Sequence, residues 1–480
     1  MCDIDSMQTI SEFLSLRDQI KICQLNRAIY NHIQIHNLTD KQYVEKITDN
    51  ILRQHKFQNL KKLNAKNNPK IADISHLVDL KELDCSGEFC GIRDIFMMNL
   101  RKLKKLEARC NAKVGNIGHM TDLEELNCGG VWCGISDNSV RQLFKLKKLD
   151  ACGNPKIKNI DHLIHLEELN CSVYTDVYDF SDFTNDTFVS DENIKNLLKL
   201  KKLNISNNIR IKNIDHLTNL EELQCCDNCG ISDNGIKKLG KLKILNANNN
   251  PQIKNINHLI NLEELRCRDN CGISDNGIKK LSKLKILDAD NNPQIKNINH
   301  LINLEELHCC DDCCVSDNGI KKLSKLKILY VNNNDKIQNI NHLINLEKLY
   351  CGGDCGISDN GIKKLNKLKI LNAGDNPKIK NINHLNNLEE LNCRDNCGIS
   401  DYGVKKLYRL KKLIAENNQK IKNINHLIHL EELNCGGDCG ISNYCTKKLT
   451  KLNKLYVYGN SKIMNVDQRL ICIDLGIFSH

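Results

Sequence analysis

The sequence predicts an α/β solenoid: a curved parallel β-sheet, helical or 3-10 turns on the convex side, and a small α-helical N-terminal module. Three observations predict it. A 42-residue block, clean at 242–283 (LKILNANNNPQIKNINHLIN, then LEELRCRDNCGISDNGIKKLSK), recurs from about Leu60 to about Leu452. Each block holds two half-units, and both open Leu-x-x-Leu-x-(Ala/Cys). Finally, 480 residues exceed what one compact core usually supports, whereas coils that pack only on their neighbours meet no such limit.

A period in the twenties opened by Leu-x-x-Leu is the signature of a leucine-rich repeat. Between Leu60 and Leu452 the sequence opens nineteen coils, spaced by 20 and by 22 or 23 residues, with one gap of 34. The two Leu and the following Ala or Cys alternate along a strand and should point inward. The Asn eight positions after the first Leu (Asn68, Asn154, Asn208, Asn250, Asn292) can satisfy turn backbone, because an amide both donates and accepts. All five prolines follow such an Asn, where the strand has ended and no ladder bond is lost. Ser-Asp ahead of Gly-Ile-Lys-Lys-Leu reads as the start of a helical or 3-10 turn.

Residues 1–56 do not repeat. Apolar spacing there predicts two or three short helices over 1–38, broken near Ser15 to Asp18, with Asp18 as a cap. A further helix is expected from Thr39 to about His55, with Tyr43, Ile47 and Ile51 on one face. The boundaries are therefore 1–38, a capping helix at 39–56, the repeats at 57–462 and a C-terminal cap at 463–480.

The stretch ISEFLSLRDQIKICQLNRAIYNH resembles an F-box, matching it at Leu14, Leu16, Asp18, Ile20, Asn26, Arg27 and Tyr30. The family's leading Leu-Pro falls on Cys2-Asp3 and its common Trp on Ile29. The resemblance implies docking on the small adaptor subunit of a cullin-type ubiquitin ligase through Leu14, Leu16, Asp18, Ile20 and Tyr30. The other reading is that these residues only cap the solenoid, since a first coil otherwise exposes an apolar edge. The 20-residue half-unit is similar to the short repeats of intracellular phosphatase regulators. The Ile-Ser-Asp-Asn-Gly-Ile of the longer one is similar to the cysteine-containing repeats commonly joined to F-boxes. Near-identical blocks rich in Asn, Lys and Ile also resemble repeat families of amoebae and of the giant viruses that infect them.

Composition narrows the function. Net charge is +10, but 69 basic residues face 59 acidic ones, so no nucleic-acid footprint is implied. No apolar run approaches the roughly 18 residues of a membrane span, and the opening MCDIDSMQTI has no signal-peptide pattern. The 26 cysteines recur at repeat positions, which points to a reducing, intracellular setting. Pairs such as Cys267/Cys271 recur two coils apart with Ala between, so they read as buried thiols rather than zinc ligands. The histidine column (His76, His119, His162 and onward) reads as edge side chains bonding turn backbone. Lys-Lys and Glu-Glu alternate from coil to coil, as cross-strand pairing or as a charged groove. No catalytic residue, metal or cofactor is called for.

Specificity should sit where the repeat breaks. One break is the insertion at 172–189, with Tyr174, Tyr178, Phe180, Phe183 and Phe188 among acidic residues: a hot-spot loop or a loop folded on its own coil. The other is the set of strand positions four and six after the first Leu, where Arg266, Arg268, Asp288, Asp290, His308, Tyr330 and Tyr350 fall on consecutive coils. Arg and Tyr are common interface anchors, so this patch on the concave face is the expected protein contact, against drift on an exposed face. The function so read is a non-enzymatic interaction solenoid: an F-box-like, substrate-recruiting ligase adaptor, or a plain binding scaffold.

Overall fold

The structure is a computed structural model that describes residues 8, 14–23, 32–173, 188–446, 448–463 and 471–472. It comprises two units, Met1–Leu242 and Lys243–His480. Among the described residues the first carries nine strands, from Asn37–Leu38 to Glu222–Gln224. The second carries twelve, from Ile244–Asn246 to Ile471–Cys472. Within each unit every strand pairs in parallel with its chain neighbours, and across the repeats Leu faces Leu, as in Leu265↔Leu287↔Leu307. Each of the nineteen coils read from the sequence has its strand, so each unit is a leucine-rich repeat solenoid.

One coil shows why the pattern folds this way. Leu242, Leu245, Ala247, Ile253, Ile256 and Leu259 are all fully buried. At roughly 1.5–3 kcal/mol per large aliphatic side chain, such columns supply most of the driving force. Seven positions after the first Leu the backbone turns left-handed, with φ of 56° at Asn249, 59° at Asp269 and 55° at Asn291. That conformation admits chiefly Asn, Asp and Gly, and these fill the column apart from Cys110 and from Val173, which does not adopt it. The next residue is the ladder Asn. Asn292 donates from Nδ2 to the Cys267 and Ile273 carbonyls (2.8 and 3.2 Å) and accepts from the Gln294 amide (2.9 Å).

A second ladder was not apparent from the sequence. The Asp of Ser-Asp opens a short helical turn and also reaches forward. Asp275 Oδ1 accepts from the Lys296 and Asn297 amides of the next coil, at 2.7 and 3.2 Å. Histidines stitch the same edge: His342 Nε2 meets the Ile320 carbonyl at 3.0 Å, and His300 and His384 repeat the bond. The alternating charges pair across strands, with Lys285–Glu263 and Lys327–Glu305 both at 2.6 Å.

The N-terminal expectations need correction. No continuous helix runs from Thr39 to His55. Two single turns, Lys41–Val44 and Asp49–Leu52, are started separately by the side chains of Asp40 and Thr48. Between them Asn68 Nδ2 donates to the Val44 and Ile47 carbonyls, the paired contact that Asn154, Asn292 and Asn334 make with the preceding coil. With the strand Asn37–Leu38 beside Lys62–Asn64, this stretch is itself a coil rather than a capping helix. Upstream lies a helix, Leu16–Cys23, capped by Ser15 and not by Asp18: the Asp18 amide donates to Ser15 Oγ at 3.2 Å, and the Ser15 hydroxyl to Asp18 Oδ2 at 2.7 Å. At the other end Ile471 pairs with Lys454, which adds a strand beyond the last repeat.

Candidate functional site on the exposed sheet face

Side chains alternate along a strand, so the residues four and six after the first Leu share the face opposite the core. On ten of the nineteen coils the first of these is Asn or Asp folded onto its own backbone: Asn372 Oδ1 accepts from the Gly374 amide and Asn392 Oδ1 from the Arg394 amide, both at 3.2 Å. From Glu264–Arg266 to Lys348–Tyr350 the face changes character.

Register places Arg266 beside Asp288, Asp288 beside His308, His308 beside Tyr330, and Tyr330 beside Tyr350. Arg268 leans across to Asp288, Nε to Oδ2 at 2.6 Å, with a second nitrogen 3.7 Å from Asp290. Arg266 turns back to Glu264 on its own strand at 2.8 Å and does not join the cluster. Asp288 is only 4% exposed; burial pushes its carboxyl above the usual range, against the pull of Arg268. Its second oxygen, Oδ1, has no hydrogen-bond partner. Asp290 Oδ1 accepts from the Cys310 amide at 2.7 Å.

The aromatic half adjoins directly. His308 Nε2 meets Glu306 at 2.7 Å, and its ring stacks on Tyr330 with centroids 4.0 Å apart and 19° between planes. Tyr330 stacks on Tyr350 at 4.2 Å and 4°. Burial, reinforced by the neighbouring Tyr350 hydroxyl, holds the Tyr330 phenol up at about 12. The result is a continuous run: guanidinium, two carboxylates, imidazole, two phenols. Such a surface offers paired charges, flat apolar plates and phenolic hydroxyls to a partner, and a set of donor atoms to a cation.

Of the F-box-like residues, Leu14 and Asp18 are half-buried and Ile20 is exposed. Asp18 is engaged by Ser15 and Lys21, which hold its carboxyl below the usual range. The Leu16 side chain and Tyr30 lie outside the described residues, as do Tyr174, Tyr178, Phe180 and Phe183 of the insertion.

Two further features escaped the sequence reading. Phe89 and Trp132 are exposed at 70% and 54%, in a column that elsewhere holds Asn or Asp. Comparison of that column from coil to coil would have exposed them. The first unit also has a recess of about 360 Å³ on its sheet face, floored by Asn127, Asp150, Asn170 and Asn204. Lys and Glu at its rim are spent on each other, as in Lys148–Glu168 at 3.5 Å and Lys202–Glu222 at 3.4 Å.

No protein-family model matches the chain, and no curated protein matches it. Solved structures are similar in architecture. The functional domain of InlJ from Listeria monocytogenes, which includes a cysteine ladder, is 20% identical over 70% of this chain and 69% of its own, with a TM-score of 0.44. A leucine-rich repeat protein of Leptospira interrogans, LIC12759, is 18% identical over 92% and 98%, with a TM-score of 0.36. The internalin inlF of Listeria monocytogenes is 18% identical over 84% and 88%, with a TM-score of 0.30. The fold assignment stands on the chain's own coils.

Proposed function

We propose that the chain is a protein-binding scaffold without catalytic activity, and that it holds its partner on the Arg268–Tyr350 run. The observation that carries this is the His308–Tyr330–Tyr350 stack beside the Arg268–Asp288 pair, on a face that elsewhere holds mostly Asn or Asp bonded to its own backbone. Preformed aromatic plates and a guanidinium held between carboxylates are the features of a hot spot: large contact area, little conformational freedom left to lose. We propose a reducing, intracellular setting with this reading; the cysteines of the repeat columns, such as Cys267 and Cys309, are buried thiols.

The test replaces Tyr330 and Tyr350 together by Asn, the common residue of the column. Affinity purification with mass spectrometry is then run on wild type and variant side by side. We expect a partner recovered with wild type and depleted at least tenfold with the variant, whose circular dichroism stays unchanged. The same partners at the same yield from both would refute the assignment.

A second reading keeps the F-box-like segment in play: an adaptor that recruits the bound protein to a cullin-type ligase. It is supported by the residue match and by the apolar Ile20 left exposed on the helix Leu16–Cys23. The full chain should then bind the ligase's small adaptor subunit, and Ile20→Asp should abolish that binding. No binding at micromolar concentration sinks this reading and leaves the scaffold intact.

A further inference from the structure

We propose that Asp288, Asp290 and His308 form a binding site for a divalent transition-metal ion of the zinc type. The donor atoms of these three residues lie within 4.8 Å of one another, on two adjacent strands in register. Zinc-bound donors sit roughly 3–4 Å apart, given bonds of about 2.0–2.3 Å, so side-chain adjustment of about 1 Å closes the set. The nearly buried Cys310 adjoins this set, and its backbone amide donates to Asp290 Oδ1 at 2.7 Å.

An independent observation points to a missing cation. Asp288 Oδ1 is buried without a hydrogen-bond partner, while the whole side chain is 6% exposed. Among the described residues it is the only carboxylate oxygen so left. A buried carboxylate oxygen with nothing to accept from is costly, and a coordinated metal relieves that cost as a hydrogen bond would. Arg268 compensates only in part. It approaches the Oδ2 atoms of Asp288 and Asp290, carries one charge against two, and is 41% exposed, so it can swing away.

The donor set suits zinc rather than calcium or magnesium, which favour all-oxygen shells. His308 Nε2 is held by Glu306, which leaves Nδ1 as the ring's other ligating atom and gives the imidazole the carboxylate partner that metal-bound histidines usually have. The sequence supports the placement. The positions four and six after the first Leu read Asp-x-Asp on one coil and His-x-Cys on the next, and no other adjacent pair of coils carries donor residues at all four. The site is independent of the protein-binding reading, since zinc is measured with no partner present.

The obvious substitutions restore the repeat. Asn is the common residue at the position of Asp288 and His308, so the double variant Asp288→Asn/His308→Asn should fold, and circular dichroism verifies it. Titration calorimetry uses zinc chloride and the full chain under a non-chelating reductant. Wild type should show one site that the double variant weakens at least a hundredfold. The d–d absorption of added cobalt(II) should fall in parallel. Arg268→Asn, which frees both carboxylates, should tighten binding about tenfold. Identical isotherms for wild type and double variant would assign the zinc to other thiols or imidazoles and overturn the proposal, as would no binding to wild type at 100 μM or weaker binding by Arg268→Asn.

Discussion

Replacing Asn292 by Ala removes three hydrogen bonds at once from a fully buried position. The Nδ2 protons no longer reach Cys267 O and Ile273 O, and the Gln294 amide loses its acceptor. A net contribution of about 0.5–1.5 kcal/mol per bond gives about 3 kcal/mol for the set. Three backbone groups stranded away from water would cost more, and a water entering the vacated space would return part, so about 3 kcal/mol is the central expectation. Asn292→Asp should cost more than Ala, because a carboxylate keeps the acceptor but faces two carbonyls it cannot satisfy. Asn270, exposed in the neighbouring coil, is the control, and its Ala variant should stay within about 0.5 kcal/mol of wild type. Urea unfolding followed by circular dichroism measures the change. A long array need not unfold in one step, so amide exchange at Gln294 reads the local opening directly. If Asn292→Ala shifts stability by less than 0.5 kcal/mol and leaves exchange at Gln294 unchanged, the ladder is not what holds the turn.

Gly277 marks another fixed point: a Cβ there would collide with the Lys254 backbone oxygen. Gly277→Ala should therefore destabilise by about 1–3 kcal/mol in the same unfolding assay. Gly277→Asn should cost less than Ala, because in the equivalent position Asn193 accepts from the Ser190 amide at 2.9 Å and builds a capping box. Glu124 supplies the pH dependence. Hydrogen bonds from Lys147 and Lys104 hold its carboxyl down to about 2, below the ordinary 4.5. A lowered folded-state value means stability fully present above about 4.5 and lost as pH falls toward about 2. Glu124→Gln should flatten that part of the acid-unfolding curve, and high salt should shrink the difference because the pairs are exposed. A salt-independent difference, or none, would rule out the pairing as its cause.

The coils were legible because each column answers a separate physical demand that residue type alone reveals. Leu and Ile at fixed spacing are the core, and Asn before Pro is the turn. Lys against Glu on successive coils is a cross-strand pair. The helix expected from Thr39 to about His55 failed for the converse reason. Its apolar residues Tyr43, Ile47 and Ile51 happen to fall at helical spacing, but the neighbouring Asn68 needs the Val44 and Ile47 carbonyls turned outward, and a continuous helix would hold those within itself. That demand comes from the next coil and leaves no mark in the segment's own periodicity. The candidate site was legible as a set of residues and illegible as a geometry. Nothing in the sequence tells that Arg268 joins Asp288 while Arg266 turns back to Glu264, or that one oxygen of Asp288 is left over.

That leftover oxygen follows from how the face is wired. The backbone amide six after the first Leu needs an acceptor, and two solutions occur. On many coils the Asn or Asp two residues earlier supplies it, as Asp150 does for Cys152 at 3.0 Å and Asn204 for Ser206 at 3.1 Å. In the variable run the preceding coil supplies it instead: Asn248 for Arg268 at 2.9 Å, Asp290 for Cys310 and Asn332 for Gly352, both at 2.7 Å. The second solution releases the residue four after the first Leu from backbone duty. Arg266, His308 and Tyr350 are the residues so released, and none of them carries the short side-chain oxygen the first solution requires. Asp288 has that oxygen and is directed to Arg268 instead. At Arg266, His308 and Tyr350, divergence therefore goes with an Asn or Asp one coil earlier. These three stand where the fold has stopped needing them, and that is the physical ground for taking their face as the candidate site.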